Sequence, residues 1–375
     1  MLKVSSSFDS GAIEVVAIEG DRLDLAIRCD STTDPACDFR QWFHFRVQGG
    51  AGRNLSLNFL NAGACTFAGG WSGYRLCVSY DHVHWFRIPT HYDGQTMRAD
   101  FACAHASVYF AYFEPYGWER HLALMGRAQL APGAAMLTLG STPDGRDFDA
   151  VALGNPAGKP VWIIARQHPG ETMAEWFMEG LIDRLLDTSD SLARTVLERA
   201  RFYLVPNMNP DGSVRGNLRA SATGANLNRE WMQPDALRSP EVLAVRTKME
   251  QTGCAFFLDV HGDETLPFVF VAGSEMLPSY SDTQARLQQR FVEQFKLAAP
   301  DFQTEHGYPT DKYSADALKL ASKWVGQAFG CLSLTLEMPF KDNDNLPDAK
   351  TGWDGARSRA LGRAVLAPIL AVLRD

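Results

Sequence analysis

The hydrophobic pattern of the chain changes near residue 120. Before that point, apolar residues occur in short stretches that alternate with polar residues or are rich in β-branched and aromatic side chains, with Gly, Asn and Asp between them. Stretches of this kind cover residues 13–18, 23–28, 42–47, 55–59, 75–79, 85–88 and 107–112. The pattern is typical of antiparallel sandwiches, so we predict an all-β antiparallel sandwich domain over residues 1–120.

After residue 120, short apolar runs alternate with helical patterns. The runs that predict strands cover residues 135–141, 148–153, 161–165, 201–205, 255–260 and 331–337. Apolar positions at helical spacing, or a plausible helical segment, cover residues 172–186, 191–200, 239–252, 282–297, 315–329 and 356–374. This alternation predicts an α/β domain over residues 121–375, built on a mostly parallel mixed sheet with helices on both faces.

Composition and charge exclude several classes of protein. With 375 residues the chain is long enough for two domains, and 46% apolar and 21% charged residues are typical of a globular protein. The net charge of −8 argues against a nucleic-acid partner. No run approaches the roughly 20 apolar residues of a membrane span, and the first residues carry no apolar signal core. The seven scattered cysteines never form Cys-x-x-Cys, so we expect mostly reduced thiols in a cytoplasmic protein without a membrane partner.

The most informative polar groups follow the apolar run 161–165. His168 and Glu171 lie where this predicted strand ends and the next helix begins, which is where open α/β sheets bind ligands. An imidazole and a carboxylate three residues apart are zinc-type ligands, and a catalytic zinc takes three ligands from the protein. Alone, the pair also fits a loop histidine followed by an acid favoured in the first turn of a helix.

Other predicted strands also end in polar groups. His261 and Glu337 end two of them, and a polar loop over residues 207–229 follows a third. If these strands share one parallel sheet, their carboxyl ends meet at one edge, and His168, Glu171 and His261 form a set that leaves a position for water. Zinc would lower the pKa of that water toward about 7, and Glu337 is the candidate to accept its proton.

The polar loop contains candidates for substrate contacts. Arg219 is placed to stabilise an oxyanion, and Asn228 with Arg229 to hold a substrate carboxylate, because a guanidinium binds a carboxylate in a bidentate way. Taken singly, each arginine fits a solvated loop or a surface ion pair better.

The order of these motifs resembles the zinc metallocarboxypeptidases of the carboxypeptidase A type, and most of all the cytosolic carboxypeptidase (Nna1-like) subfamily. The resemblance is carried by His168-Pro-Gly-Glu171, Asn209-Pro-Asp-Gly212, Arg219, Leu227-Asn-Arg229, His261 and Glu337. Residues 114–121 also resemble the join between the two domains of that family. The resemblance implies a β-sandwich before a catalytic domain, and a peptide or protein C-terminus as substrate.

The resemblance also implies a role for each site residue. His168, Glu171 and His261 would bind one zinc ion per chain, and Glu337 would be the general base and acid. Arg219 would polarise the scissile carbonyl, and Asn228 with Arg229 would hold the C-terminal carboxylate of the substrate.

The chain departs from the family pattern at a few positions. Asn226 stands where relatives often have Asp, and Asp263 and Glu264 follow His261, either as groups that support the ligands or as a solvated turn. The tyrosine that covers the substrate in carboxypeptidase A has two candidate equivalents, Tyr308 and Tyr313.

The sequence leaves open which C-terminal side chain of a substrate the protein would prefer. Lys319 or Lys323 is placed to pair with an acidic C-terminal side chain, although a lysine on a helix is more often a surface residue. An acidic preference is therefore a hypothesis that depends on these lysines and on the resemblance. Two other functions remain: a zinc-dependent deacylase or amidase acting on small acylated amino acids, and a catalytically inactive binding protein.

Overall fold

The computed structural model describes residues 1–309 and 313–373. The N-terminal domain contains the strands β1 (Lys3–Ser5), β2 (Glu14–Glu19), β3 (Arg22–Ala26), β4 (His44–Gln48), β5 (Arg53–Phe59), β6 (Arg75–Ser79), β7 (Trp85–Pro89), β8 (His91–Tyr92), β9 (Met97–Cys103) and β10 (Ser107–Ala111). They form two sheets, in the spatial orders β1-β4-β10-β6-β7 and β2-β3-β5-β9-β8. Neighbouring strands are antiparallel except β3 and β5. The prediction of an antiparallel all-β domain is confirmed.

The sequence pattern missed β1, β8 and β9. In β9, buried and exposed residues alternate over the whole strand. Two of its buried positions are occupied by Ala99 and Cys103, whose small side chains give only a weak hydrophobic signal. The alternation of buried and exposed residues in β9 is therefore clear in the structure but weak in the hydrophobic pattern of the sequence.

The second domain alternates helices and strands along the chain. Its helices are α1 (Trp118–Ala128), α2 (Thr172–Leu186), α3 (Ser191–Arg199), α4 (Pro210–Arg215), α5 (Pro240–Thr252), α6 (Asp282–Ala298), α7 (Ala321–Phe329), α8 (Gly355–Ala364) and α9 (Leu366–Leu373). Its strands are β11 (Ala135–Ser141), β12 (Asp147–Gly154), β13 (Lys159–Ala165), β14 (Ala200–Val205), β15 (Phe256–Asp263), β16 (Phe270–Ala272) and β17 (Leu332–Pro339).

These strands form one mixed sheet in the order β11-β12-β14-β13-β15-β17-β16. The central strands β14, β13, β15 and β17 are parallel, whereas β11, β12 and β16 join through antiparallel pairs. The parallel strands are buried along nearly their whole length, as expected for strands covered on both faces. The prediction of a mixed α/β sheet is confirmed, and its parallel part is the centre of the sheet.

Two strands extend further than the sequence indicates. β15 continues past His261 to Asp263, and β17 continues past Glu337 to Pro339, because the two strands remain paired in parallel register up to those residues. The apolar runs end earlier, since the last residues of both strands include the polar groups of the site. His261 and Glu337 therefore lie within paired strands and not at their ends.

Several helix boundaries also differ from the predictions. The segment 315–329 is a 3-10 turn (Ala315–Lys319) followed by α7, and the segment 356–374 is divided between α8 and α9, with Arg374 outside the described residues. Pro368 lies in the first turn of α9, a position at which proline is tolerated. Within the described ranges, no helix is both long and apolar enough to cross a membrane.

Candidate active site

The three predicted ligands lie together at the edge of the sheet. The candidate ligand atoms of His168, Glu171 and His261 are within 4.8 Å of one another, and all three residues are buried. Nδ1 of His168 is 2.6 Å from Oε1 of Glu171, and Nδ1 of His261 is 2.7 Å from Oε2 of the same carboxylate. Parallel pairing of β13 with β15 brings the two histidines together, although they are 93 residues apart (261 − 168).

The outer nitrogens of both histidines are held by polar side chains. Nε2 of His261 is 2.8 Å from Oδ2 of Asp259, and Nε2 of His168 is 3.0 Å from Oδ1 of Asn226. Metal-binding histidines are characteristically oriented in this way, because the outer partner fixes the ring and its tautomer. Two oriented imidazoles and one carboxylate form a donor set that fits a zinc-type ion.

The charges around the three ligands favour a cation between them. Burial lowers the pKa of His168 to about 4, and the nearby charge of Arg219 acts in the same direction, so the imidazole is neutral, as a metal ligand must be. Burial alone would raise the pKa of Glu171, but the two histidines hold it below its usual value. Burial opposes protonation of His261, yet Asp259 and Glu171 outweigh it and raise its pKa. These two carboxylates carry the negative charge that a divalent ion would balance.

Glu337 faces the same space as the three ligands. It is directly opposite His261 in the β15–β17 register, it is 6% exposed, and its Oε2 has no hydrogen-bond partner among the described residues. Burial raises the pKa of Glu337 well above its usual value, and the charges of Glu171 and Asp263 add to that effect. A buried carboxyl group with an unpartnered oxygen is suited to accept and return a proton.

A cavity of about 760 Å³ opens beside these residues. Arg219, Asn228 and Arg229, the candidates from the polar loop, all line it. Burial lowers the pKa of Arg229, and the charge of Arg219 lowers it further. Two arginines close enough to repel each other make this wall of the cavity attractive to an anion.

Asn228 is engaged on both ends of its amide. Oδ1 accepts a hydrogen bond of 2.9 Å from the Ala321 N–H, and Nδ2 is 3.3 Å from Nε2 of His261. The backbone carbonyl of Asn228 accepts a bond of 2.7 Å from the guanidinium of Arg229. Asn228 therefore connects the arginine-lined wall of the cavity to His261 and to the start of α7.

The two candidate tyrosines and the two candidate lysines differ in whether they line the cavity. Tyr308 lines the cavity, and its hydroxyl donates a bond of 2.7 Å to Oδ2 of Asp263, whereas Tyr313 is absent from the lining residues. Lys323 lines the cavity and donates to the carbonyl of Gly273, while Lys319 pairs with Asp316 at 2.9 Å and is 42% exposed. Glu264 also lines the cavity and is buried, and burial raises its pKa to about 8.

The residues that support the three candidate ligands were not predicted from the sequence. Asp259 precedes His261 by two positions on a buried strand, so both side chains point to the same face, and a charged residue inside an apolar run was a usable signal. Gln167 donates to Asp259 at 2.8 Å and accepts from the indole of Trp231 at 2.8 Å. For Gln167 and Trp231 no local pattern indicated a role.

Family models match both domains of the chain. Residues 4–113 match the model described as "Cytosolic carboxypeptidase N-terminal domain", and residues 127–351 match the model described as "Zinc carboxypeptidase".

Solved structures match the whole chain. The metallo-carboxypeptidase of Burkholderia cenocepacia is 54% identical, with full coverage of both chains and a TM-score of 0.97. The metallo-carboxypeptidase of Pseudomonas aeruginosa, solved in complex with (2-guanidinoethylmercapto)succinic acid, is 45% identical with a TM-score of 0.95, and the match covers 100% of this chain and 99% of that one.

Curated relatives match as well. An uncharacterized protein of Zymomonas mobilis is 44% identical over 100% of this chain and 97% of its own length. Cytosolic carboxypeptidase 6 of Mus musculus is 27% identical over 85% of this chain, which spans 62% of that longer protein.

Proposed function

We propose, from the premise that this chain belongs to the zinc carboxypeptidase family, that it hydrolyses the last peptide bond of peptides or proteins with one zinc ion held by His168, Glu171 and His261. The family is that of metallocarboxypeptidases, which are hydrolases. The observation that carries the proposal is the position of Glu337. It lies opposite His261 in the sheet and lines the same cavity as the three ligands, and its Oε2 has no hydrogen-bond partner among the residues that the structure describes.

A bound zinc ion supplies Lewis-acid activation of water and of the scissile carbonyl. Oε2 of Glu337 accepts the proton of the attacking water and then returns it to the nitrogen of the leaving amino acid. The raised pKa of Glu337 favours the first step, because a more basic carboxylate takes up the proton of the attacking water more readily.

The two arginines of the cavity have separate tasks in this proposal. Arg219 stabilises the negative charge that develops on the carbonyl oxygen, and its proximity to His168 supports that assignment. Arg229 holds the C-terminal carboxylate of the substrate, and Asn228 orients the Arg229 guanidinium through its backbone carbonyl. A free carboxylate at a fixed distance from the scissile bond limits the reaction to the last residue.

Replacing the proposed proton carrier tests this function. In Glu337→Gln, zinc content measured by elemental analysis should equal that of the wild type, while kcat for release of a C-terminal amino acid should fall about 10²- to 10⁴-fold. Glu293→Gln, on the exposed side of α6, is the control and should keep full activity. Near-normal turnover by zinc-loaded Glu337→Gln would show that another group carries the proton.

We also propose a preference for an acidic C-terminal side chain. Lys323 is 9% exposed, lines the cavity and lies in the first turn of α7. It follows Ser322, whose hydroxyl is 2.8 Å from that of Thr335. An ammonium group in a buried polar wall is well placed to pair with a carboxylate. The exposed Lys319 does not line this wall.

A second candidate is a preference for a basic side chain. The Pseudomonas aeruginosa relative was solved with a succinic acid that carries a guanidinoethyl arm. Here the acidic side chains of Glu275 and Asp316 line the same cavity as Lys323, so a cationic side chain also has partners. Peptides that differ only in the last residue separate the two candidates.

A further inference from the structure

The N-terminal domain reaches the cavity through an aromatic side chain. Phe67 lines the cavity, and the guanidinium carbon of Arg219 lies 5.4 Å from its ring centroid and 5.9 Å from that of Phe39. The buried amide of Gln41 holds the backbone of Phe67 by accepting from its N–H at 3.1 Å and donating to its carbonyl at 3.2 Å. The guanidinium of Arg219 is therefore packed against rings from a different domain.

The backbone that carries Arg219 is held by a carboxylate of the same N-terminal domain. Oδ1 of Asp30 accepts a hydrogen bond of 2.6 Å from the N–H of Leu218. Oδ2 accepts bonds of 2.8 Å from the N–H groups of Arg219 and of Ala220. Asp30 is 8% exposed and nearly 190 positions earlier in the sequence, so these charge-assisted bonds exist only in the folded two-domain chain.

Other hydrogen bonds on either side of Asp30 also join the two segments. The N–H of Ser31 donates to Oδ1 of Asn217 at 2.7 Å, and the N–H of Thr33 donates to the carbonyl of Ala222 at 2.8 Å. The guanidinium of Arg28 also donates to the carbonyls of Arg215 and Gly216. Contacts other than those of Asp30 therefore also join the two segments.

The charge at Asp30 is costly to bury. Burial raises the pKa of Asp30 to about 6, even though three N–H donors and the nearby Arg28 act to lower it. The three N–H groups that this buried acid holds belong to Arg219 and its two neighbours, so the acid fixes the backbone at the residue that carries the guanidinium.

We propose that Asp30 is a positioning residue for the reaction, which fixes the Arg219 backbone so that the guanidinium points into the cavity between Phe67 and the ligand histidines. The inference depends on the role given to Arg219 in the proposed function. A guanidinium that stabilises charge only in the transition state must be oriented beforehand, and a displacement of about 1 Å costs up to about 10²-fold in rate. The N-terminal domain would then be part of the catalytic apparatus.

A double-mutant cycle on the zinc-loaded, full-length chain tests this inference. Asp30→Asn should lower kcat about tenfold or more while KM changes less than about twofold and zinc content stays at the wild-type value. The control Asp38→Asn changes an exposed acid on the same segment and should leave kcat unchanged. Arg219→Ala should lower kcat strongly, and adding Asp30→Asn to it should cause no further loss beyond about twofold, since both changes remove one effect.

The outcomes separate the inference from the function on which it depends. If Asp30→Asn has the wild-type kcat while Arg219→Ala is defective, the inference alone is overturned. It is also overturned if the loss of kcat in the double variant equals the product of the two single losses, which would indicate a general effect on folding. Wild-type kcat in Arg219→Ala would overturn the assigned role of Arg219 and the inference with it. If Asp30→Asn does not fold, Asp30→Glu keeps the charge and moves it by one methylene, and it must show the same loss of kcat with zinc bound.

Discussion

Nε2 of His261 lies 2.8 Å from Oδ2 of Asp259, two residues earlier on the same strand. Alternate residues of a strand point to one face, so the sheet itself aims this carboxylate at the histidine. Gln167 donates to the same oxygen at 2.8 Å, whereas Oδ1 of Asp259 has no partner among the described residues. One oxygen of Asp259 therefore holds both His261 and Gln167.

Replacing Asp259 should weaken metal binding without removing a ligand. In Asp259→Asn the histidine keeps a hydrogen-bond acceptor but loses the neighbouring charge, so we expect zinc affinity to fall about 10- to 100-fold. Competition with a chromogenic chelator measures the change. Asp149→Asn, on β12 of the same sheet, is the control. Unchanged zinc affinity in Asp259→Asn would mean that Asp259 serves only to hold Gln167.

Removing a ligand should have a larger effect. In His261→Ala only His168 and Glu171 remain, and two protein ligands are too few for a stable zinc site, so purified protein should contain little zinc and should not hydrolyse peptides. Elemental analysis after dialysis checks the metal content. A zinc content equal to that of the wild type would identify a different third ligand.

The side-chain preference should depend on Lys323. If the acidic preference holds, peptides ending in Glu should be cleaved better than those ending in Phe or Lys. Lys323→Met should then lower kcat/KM for Glu about 10- to 100-fold, because a hydrogen bond to a charged group is lost. Lys319→Met, on the neighbouring 3-10 turn, should change little.

Other outcomes of this comparison are equally informative. Release of Phe that equals or exceeds release of Glu would remove the acidic preference. Faster release of Lys would favour the second candidate, in which Glu275 and Asp316 bind a cationic side chain.

Glu241 should make the stability of the protein depend on pH. It is 2% exposed with neither carboxyl oxygen partnered among the described residues, and burial raises its pKa from 4.5 to about 7. The folded state therefore binds a proton more tightly than the unfolded state, and the contribution of Glu241 to stability is lost as the pH rises through about 7. The loss amounts to at most about 3 kcal/mol between pH 4.5 and pH 8.

Urea unfolding at pH 5 and pH 8 measures this contribution. The free energy of unfolding of Glu241→Gln, minus that of the wild type, should be larger at pH 8 than at pH 5. The reason is that glutamine does not ionise. Glu250→Gln on the same helix is the control, since that carboxylate is 53% exposed. An identical pH dependence for Glu241→Gln and the wild type would contradict the prediction.

Much of the fold follows from local patterns. The helical spacing over residues 172–186 predicts α2 with its observed bounds, and the apolar run 161–165 lies within β13. Where the predicted strands differ from the observed ones, the residues of the strand itself explain the difference. The small side chains of β9 hide its alternation, and the polar ends of β15 and β17 hide the length of their pairing.

The sequence by itself determined which groups can perform the chemistry. His168, Glu171, His261 and Glu337 each follow or end an apolar run, and parallel strands bring their carboxyl ends to one edge of a sheet. Only the tertiary structure decided what supports those groups: Asp259 and Asn226 behind the histidines, and Asp30 behind the Arg219 backbone. The reason is physical, because periodicity reports which side of its own element a residue occupies, whereas contacts between distant segments arise from the packing of domains and loops.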